Sequence, residues 1–295
     1  MPATGRHRRH ITRGRAMSAE VRLVVEGATK EFGDVVAVDN VSFTLGQGES
    51  LGVIGESGSG KTTLARLVLG IEMSTSGRIS ICGYERPTRM RTDDWRRQAK
   101  LVQVVFQDPY ASLDPMQSGR GAVVENLRLH EPSMDSRQRA VRAAELAETV
   151  GLTVRQFEAR PRDLSGGQRQ RVAIAKALAP APAVIILDEA VSALDVSIQA
   201  QVLNLLNDIR ERASTSFLFI THDLAVARQV TDRGLVMRRG RVVEEGNTPQ
   251  LLDRPQHEYT RRLVASVPRE GWRPVPPDPG KDACDRPSTK GENDE

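Results

Sequence analysis

"SLGVIGESGSGKTTLARLVLG", residues 50 to 70, decides how the rest of the chain is read. It begins as a buried apolar strand, and its last part, "KTTLARLVLG", has a helical pattern that stops at Gly70. Between them Gly55, Gly60, Lys61 and Thr62 stand at the spacing G-x-x-x-x-G-K-[ST]. Such a loop turns backbone N–H groups inward, so Gly55, Glu56, Ser57, Gly58, Ser59, Gly60 and Thr63 would cradle phosphates. Lys61 would reach the outer phosphates, and the hydroxyl of Thr62 would bind Mg²⁺. Strand, glycine loop and helix in that order open an α/β sheet.

Working outward, the same alternation continues. "KLVQVVFQ", "AVIILDE" and "SFLFITHD" read as strands, with the helix "SIQAQVLNLLNDIRERA" between the last two. In that helix Ile198, Val202, Leu205, Leu206 and Ile209 repeat on one face. The expectation is a mainly parallel sheet covered by helices. Upstream, "VRLVVEGATKEF" and "VVAVDNVSFTL" read as an N-terminal antiparallel sheet. Residues 108–180 carry helices without strands and read as an inserted helical subdomain. These pieces form one domain, 20–267.

The flanks differ in kind. Residues 1–19 form a basic arm expected to be disordered: its first 16 residues hold five arginines and no acid. Met17 is a second candidate start. Residues 268–295 are rich in proline and charge and are expected to be a disordered tail. The five arginines of the arm exceed the formal net charge of +4, so the body has no basic excess and no nucleic-acid partner is expected. No apolar run approaches the roughly 18 residues that cross a bilayer, so a membrane role would go through a partner. Cys82 and Cys284, far apart, fit inert thiols in a reducing compartment.

Further residues belong with the phosphate loop. Asp188 and Glu189 end an apolar strand, where an aspartate can help hold Mg²⁺ and a neighbouring glutamate can orient or deprotonate water. Gln107 and His222 close two more strands at the same carboxyl edge. Phe32 is a candidate for stacking on a base, with core packing as the rival. "LSGGQRQRVAIAKALA", residues 164 to 179, contains a capping box from Ser165 to Gln168. Gly166 and Gly167 sit in the first turn of that helix, at a cost of up to ~1 kcal/mol against alanine in a helix interior. Something must approach that backbone closely.

Taken together and in this order, the motifs resemble the ATP-binding subunits of ABC transporters over about residues 21–268. "GESGSGKTT" resembles Walker A, "FQ" the Q-loop, "LSGGQ" the signature, "VIILDE" Walker B, "SALD" the D-loop and His222 the switch histidine. The resemblance implies a P-loop NTPase that hydrolyses ATP with Mg²⁺ held by Thr62, Gln107 and Asp188. It makes Glu189 the catalytic glutamate, with Gln107 and His222 assisting, and Phe32 the adenine-stacking aromatic. Subunits of the family dimerise head to tail, so Ser165, Gly166, Gly167 and Gln168 would touch the ATP of the opposite subunit, and Asp195 would communicate across the interface. Where the family has proline and threonine, this chain has Ala190 and Val191, which bears on the rigidity of that loop.

"FQDPYASLDPM", "GRVVEEGNTPQLLDRPQHEYT" and "HEYTRRLVASVP" are similar to the ATPases of peptide and nickel importers. This implies permease subunits in the membrane, a second ATP-binding subunit, an extracytoplasmic substrate-binding protein and a place on the cytoplasmic face. Di- or oligopeptides are the expected cargo, with nickel or another small solute as the alternative. A soluble, non-transport ABC ATPase is the rival class, although this chain has neither a second nucleotide domain nor a coiled coil. Cys284 stands alone in the C-terminal region, so no iron–sulfur cluster is expected.

Overall fold

The computed structural model describes residues 20–108 and 112–266. The N-terminal arm, the tail with Cys284 and the middle of "FQDPYASLDPM" lie outside the described residues. Strand β3 (Ser50–Ile54) is buried along its whole length. It has a parallel neighbour on each side, and strands covered on both faces need apolar side chains on both. The sheet runs β10 (Arg241–Asn247), β9 (Arg233–Arg238), β3, β8 (Ser216–Thr221), β7 (Val184–Asp188), β6 (Val102–Phe106). Its neighbours are parallel except for the edge strand β10, antiparallel to β9.

A second, antiparallel sheet has the order β2 (Val35–Gly46), β1 (Val21–Phe32), β4 (Ser76–Ile81), β5 (Tyr84–Glu85). Helix α1 (Lys61–Leu69) lies between the two sheets. Its Leu64, Leu67 and Val68 share a core with Leu23, Val25 and Leu45 of one sheet and Val53, Ile186 and Leu218 of the other. The end of α1 is sealed by polar groups: the Arg86 guanidinium donates to the Leu67 carbonyl and Gln98 Nε2 to Val68 O at 2.7 Å. The Leu67 carbonyl also accepts the Gly70 N–H at 3.1 Å, so the last turn of the helix is closed by backbone and side chains together. Burial pushes the Arg86 pKa down to about 10.

Side-chain alternation along the strands feeds the opposite face of the parallel sheet. Leu218 and Ile220 point to α1, while Phe217 and Phe219 point away into a helical core. That core is built from α3 (Gly119–His130), α4 (Ser136–Thr149), α5 (Val154–Glu158), α6 (Gly166–Leu178) and α7 (Val196–Ala213). Three helix starts use one device: Asp135, Thr153 and Ser165 each accept from the N–H of a glutamine three residues on, whose side chain accepts in return. A third cluster, around Ile54, Val236, Leu251 and Leu263, joins α8 (Leu224–Val230), α9 (Thr248–Asp253) and α10 (Glu258–Ala265) to the sheet. Among the described residues no helix is long and apolar enough to cross a membrane.

The α/β architecture expected from the sequence is the one observed, with one local difference. Lys100 and Leu101 end a helix, α2 (Thr92–Leu101), and the strand "VQVVF" starts after them. The Asp94 carboxylate sets that helix start: it accepts the Arg91 N–H at 2.8 Å and the Tyr84 hydroxyl at 2.6 Å.

Candidate active site

The loop after β3 is shaped by close approaches that leave no room for a side chain. Gly60 has φ +103°, and a Cβ there would lie 2.4 Å from the carbonyl oxygen of Ala37. A left-handed, contacted position of this kind is open only to glycine. The loop is tied by Ser59 N–H to Glu56 O at 3.2 Å and by Gly240 N–H to Ser59 O at 2.9 Å. Helix α1 begins with neither a capping side chain nor an acidic residue in its first turn. Its leading N–H groups and the positive end of its dipole are therefore free for an anion.

Lys61 is buried at 5% exposure, and its ammonium donates to Gly55 O and Glu56 O, both at 2.7 Å. Burial lowers its pKa, and the nearby carboxylates of Glu189, Asp188 and Glu56 oppose that fall. The lysine thus stays poised beside the loop, holding backbone carbonyls that an anionic ligand can replace. A cleft of about 300 Å³ opens over it, walled by Val35–Ala37 of β2, Ser57, Gly58 and Gly60 of the loop, Lys61 to Thr63 at the start of α1, Glu189 and the turn Arg239–Gly240.

Across the cleft, the acidic pair ends β7. Asp188 is the last strand residue, in register with Phe106 and Ile220. Burial raises its carboxyl pKa, Glu189 raises it further, and Lys61 and Arg66 oppose the shift. Glu189 has φ +50°, a left-handed backbone uncommon outside glycine and of the kind that gathers at functional sites. Its N–H donates to Ile220 O at 2.9 Å, and its carbonyl accepts the Ser192 hydroxyl at 2.9 Å. Its carboxylate Oε1 lies 3.0 Å from Nδ1 of His222, the first residue after β8. Ala190 and Val191 are both buried in the helical core, so packing holds that loop.

Other expected residues lie nearby without lining the cleft. Gln107 follows Phe106 at the same sheet edge and is exposed. Phe32 is 46% exposed at the tip of the β1–β2 hairpin, so core packing is not its role; the Lys30 ammonium sits 4.7 Å from its ring centre.

Ser165, Gly166, Gly167 and Gln168 also lie off this cleft, at the start of α6. Ser165 Oγ accepts Gln168 N–H at 3.3 Å, and Gln168 Oε1 accepts Ser165 N–H at 2.9 Å. The two glycines differ. A Cβ on Gly167 would fall 2.4 Å from Ile198 Cγ2, whereas one on exposed Gly166 would meet only Leu194 Cδ2 at 3.5 Å. What approaches the second glycine is a side chain of this same chain. Asp195 caps the helix that carries Ile198, its Oδ1 accepting Ile198 N–H and the Ser197 hydroxyl, both at 3.0 Å. The hydrogen bond from Ile198, followed by that from Ser197, lowers the Asp195 pKa.

A stability prediction follows from this contact. Gly167→Ala should destabilise the fold by about 1–3 kcal/mol, the range for overpacking. Urea unfolding measures it, and in a double-mutant cycle Ile198→Ala should relieve the penalty.

The ABC transporter family profile matches residues 38–192. The chain belongs to the ABC transporter family. It is 44% identical over 232 residues to the oligopeptide transport ATP-binding protein OppF of Escherichia coli, covering 79% of this chain and 69% of that protein. It is 46% identical over 237 residues to the glutathione import ATP-binding protein GsiA of Shigella flexneri, covering 80% of this chain and 37% of that protein. The ATP-binding cassette MJ0796, solved as a dimer in a post-hydrolysis state with ADP and Pi, superposes with a TM-score of 0.68 at 28% identity, over 77% of this chain and 98% of that one.

The motif reading did not single out Val35–Ala37 of β2, which wall the ABC cleft, nor two further elements from far along the chain. Arg239 and Gly240, in the β9–β10 turn, line the cleft, and Tyr259 of α10 touches the phosphate loop. The dipeptide Arg-Gly between two strands signals a turn, but nothing in the sequence places that turn beside Gly60.

Proposed function

We propose that the chain is the ATP-hydrolysing subunit of an importer of di- or oligopeptides, working as a head-to-tail dimer beneath membrane-embedded permease subunits. The observation that carries this reading is the meeting of Lys61, Asp188 and the Glu189–His222 pair at one sheet edge, with the signature loop left outside their cleft. A loop that serves no ligand in its own subunit is explained if it completes the site of a neighbour. The names of the relatives, oligopeptide transport and glutathione import, support a peptide cargo, glutathione being itself a tripeptide.

In this reading the α1 N-terminus and residues 55–63 hold the triphosphate, with Phe32 beside the adenine. Lys61 exchanges its two carbonyl partners for phosphate oxygens. The Thr62 hydroxyl and the Asp188 carboxylate, with Gln107, would hold Mg²⁺, which when bound neutralises phosphate charge. Hard oxygen donors suit that ion, and two acids faced by a single buried lysine leave a negative charge for it to balance. Glu189 orients and deprotonates the attacking water, while His222 steadies the glutamate and faces the γ-phosphate. Ser165, Gly166, Gly167 and Gln168 of each subunit close over the nucleotide of the other, and Asp195 links the two sites. The chain sits on the cytoplasmic face, and a substrate-binding protein delivers cargo from outside.

Lys61→Ala should weaken ATP binding ~10- to 100-fold, the effect of losing hydrogen bonds to a charged group, as read by titration with a fluorescent ATP analogue. For the whole assignment, the tagged protein is purified from detergent-solubilised membranes and reconstituted with what accompanies it. Integral membrane partners and ATPase activity stimulated by peptide-loaded binding protein are expected. Purification without membrane partners would overturn the transport reading, and stimulation by nickel alone would overturn the cargo.

A further inference from the structure

We propose that Tyr259, in the C-terminal helix α10, is a positioning residue for ATP: its hydroxyl fixes the phosphate loop through Glu56. This rests on the reading of residues 55–63 as the ATP loop and adds a residue 203 positions away in sequence from the one it holds. The Tyr259 hydroxyl accepts the Glu56 backbone N–H at 3.3 Å. The carbonyl of the same residue accepts the Lys61 ammonium at 2.7 Å. Both backbone groups of Glu56 are therefore engaged, one by the tyrosine and one by the lysine that reaches for phosphate.

The tyrosine can act as a fixed post because everything around it is anchored. Its ring is 6% exposed and packs with Ile54, at the end of the strand that leads into the loop, and with Val236 and Leu251. The Arg238 guanidinium lies 5.1 Å from the ring centre on the strand next to β3. The start of α10 is pinned to β10 by the Glu244 carboxylate, which accepts the N–H groups of Gln256 at 2.7 Å and His257 at 3.0 Å. Burial raises the phenol pKa, which keeps the hydroxyl neutral and able to pair with the loop across the physiological range. A merely structural tyrosine would need the ring alone; a hydroxyl directed at the second residue of a phosphate loop points to a role in the geometry of that loop.

The test compares Tyr259→Phe, which keeps the ring and removes one oxygen, with Leu263→Ala, which loosens the same apolar cluster without touching the loop. Both are made in the full-length chain. For Tyr259→Phe, the Kd for ATP and the KM should rise ~2- to 10-fold, the equilibrium worth of one neutral hydrogen bond. Its kcat at saturating ATP should stay within about twofold, because the groups at Glu189 are unchanged. Leu263→Ala should lower the melting temperature and leave the Kd unchanged. An unchanged Kd in Tyr259→Phe would overturn the proposal, and so would an equal rise in Leu263→Ala, which would mean general loosening. Lys61→Ala runs alongside: if it too left ATP affinity intact, the ATP-loop reading itself would fall, an outcome distinct from failure of Tyr259→Phe alone.

Discussion

Glu189→Gln should bind ATP as tightly as the wild type and turn it over ~10²- to 10⁴-fold more slowly, the range for loss of a positioned base. The substitution is nearly isosteric, so the left-handed backbone at this position and its N–H bond to Ile220 can persist. The amide can still pair with His222 Nδ1, at 3.0 Å from the carboxylate in the wild type, because one amide atom donates and the other accepts. What disappears is the negative charge and the ability to take a proton from water. Removing that charge also removes one cause of the raised Asp188 pKa, which leaves Asp188 more firmly ionised. Phosphate release in single-turnover experiments, set beside equilibrium titration, checks both halves, and near-normal turnover would remove Glu189 from its role.

Ser165→Arg should leave ATP binding by the isolated chain nearly intact while abolishing ATP-dependent dimerisation and, with it, hydrolysis. Ser165 is exposed and lies off the cleft around Lys61, so a bulky side chain there clashes with nothing that holds this chain's own nucleotide. On the shared-site proposal it would stand where the neighbour's phosphates bind. The change also deletes the helix cap on Gln168 N–H, a loss of about 1 kcal/mol. Ser165→Ala suffers the same loss without the bulk, and it therefore separates folding from assembly. Sedimentation of the two variants with ATP should show dimers for alanine and monomers for arginine. Dimerisation of the arginine variant would refute the shared-site reading.

Much of this site could be read from the sequence because its parts are local. Gly55 to Gly60 form one loop that runs straight into α1 at Lys61, and the spacing of glycines, lysine and hydroxyl is itself the geometry. Asp188 and His222 were legible as ends of apolar strands, since strand ends on one sheet edge converge. The bond between Glu189 and His222 was not legible: it depends on β7 and β8 lying side by side, which no periodicity encodes. Tyr259 and the turn Arg239–Gly240 were hidden for the same reason, being brought to the loop by α10 and by the pairing of β9 with β3. Gly167 is the instructive case. Its cost in a helix was visible and pointed to a close approach, yet sequence could not say whether a phosphate or Ile198 comes near. The structure puts Ile198 there and leaves Gly166 open. Helix α2 has no apolar face to announce it in sequence, Gln98 being its one buried residue.

The contact between Gly167 and Ile198 limits how this cassette can diversify. Asp195 caps the helix bearing Ile198, and that side chain rests against the first turn of the signature helix. If subunits pair head to tail as proposed, both segments face the neighbour, and one joint carries the two surfaces on which a subunit matches its mate. A lineage that changed its mate would have to revise the two together. Grafting residues 164–168 from another cassette without residues 194–198 would give a chain that folds poorly or pairs out of register, whereas exchanging both as one unit would transfer the choice of mate intact.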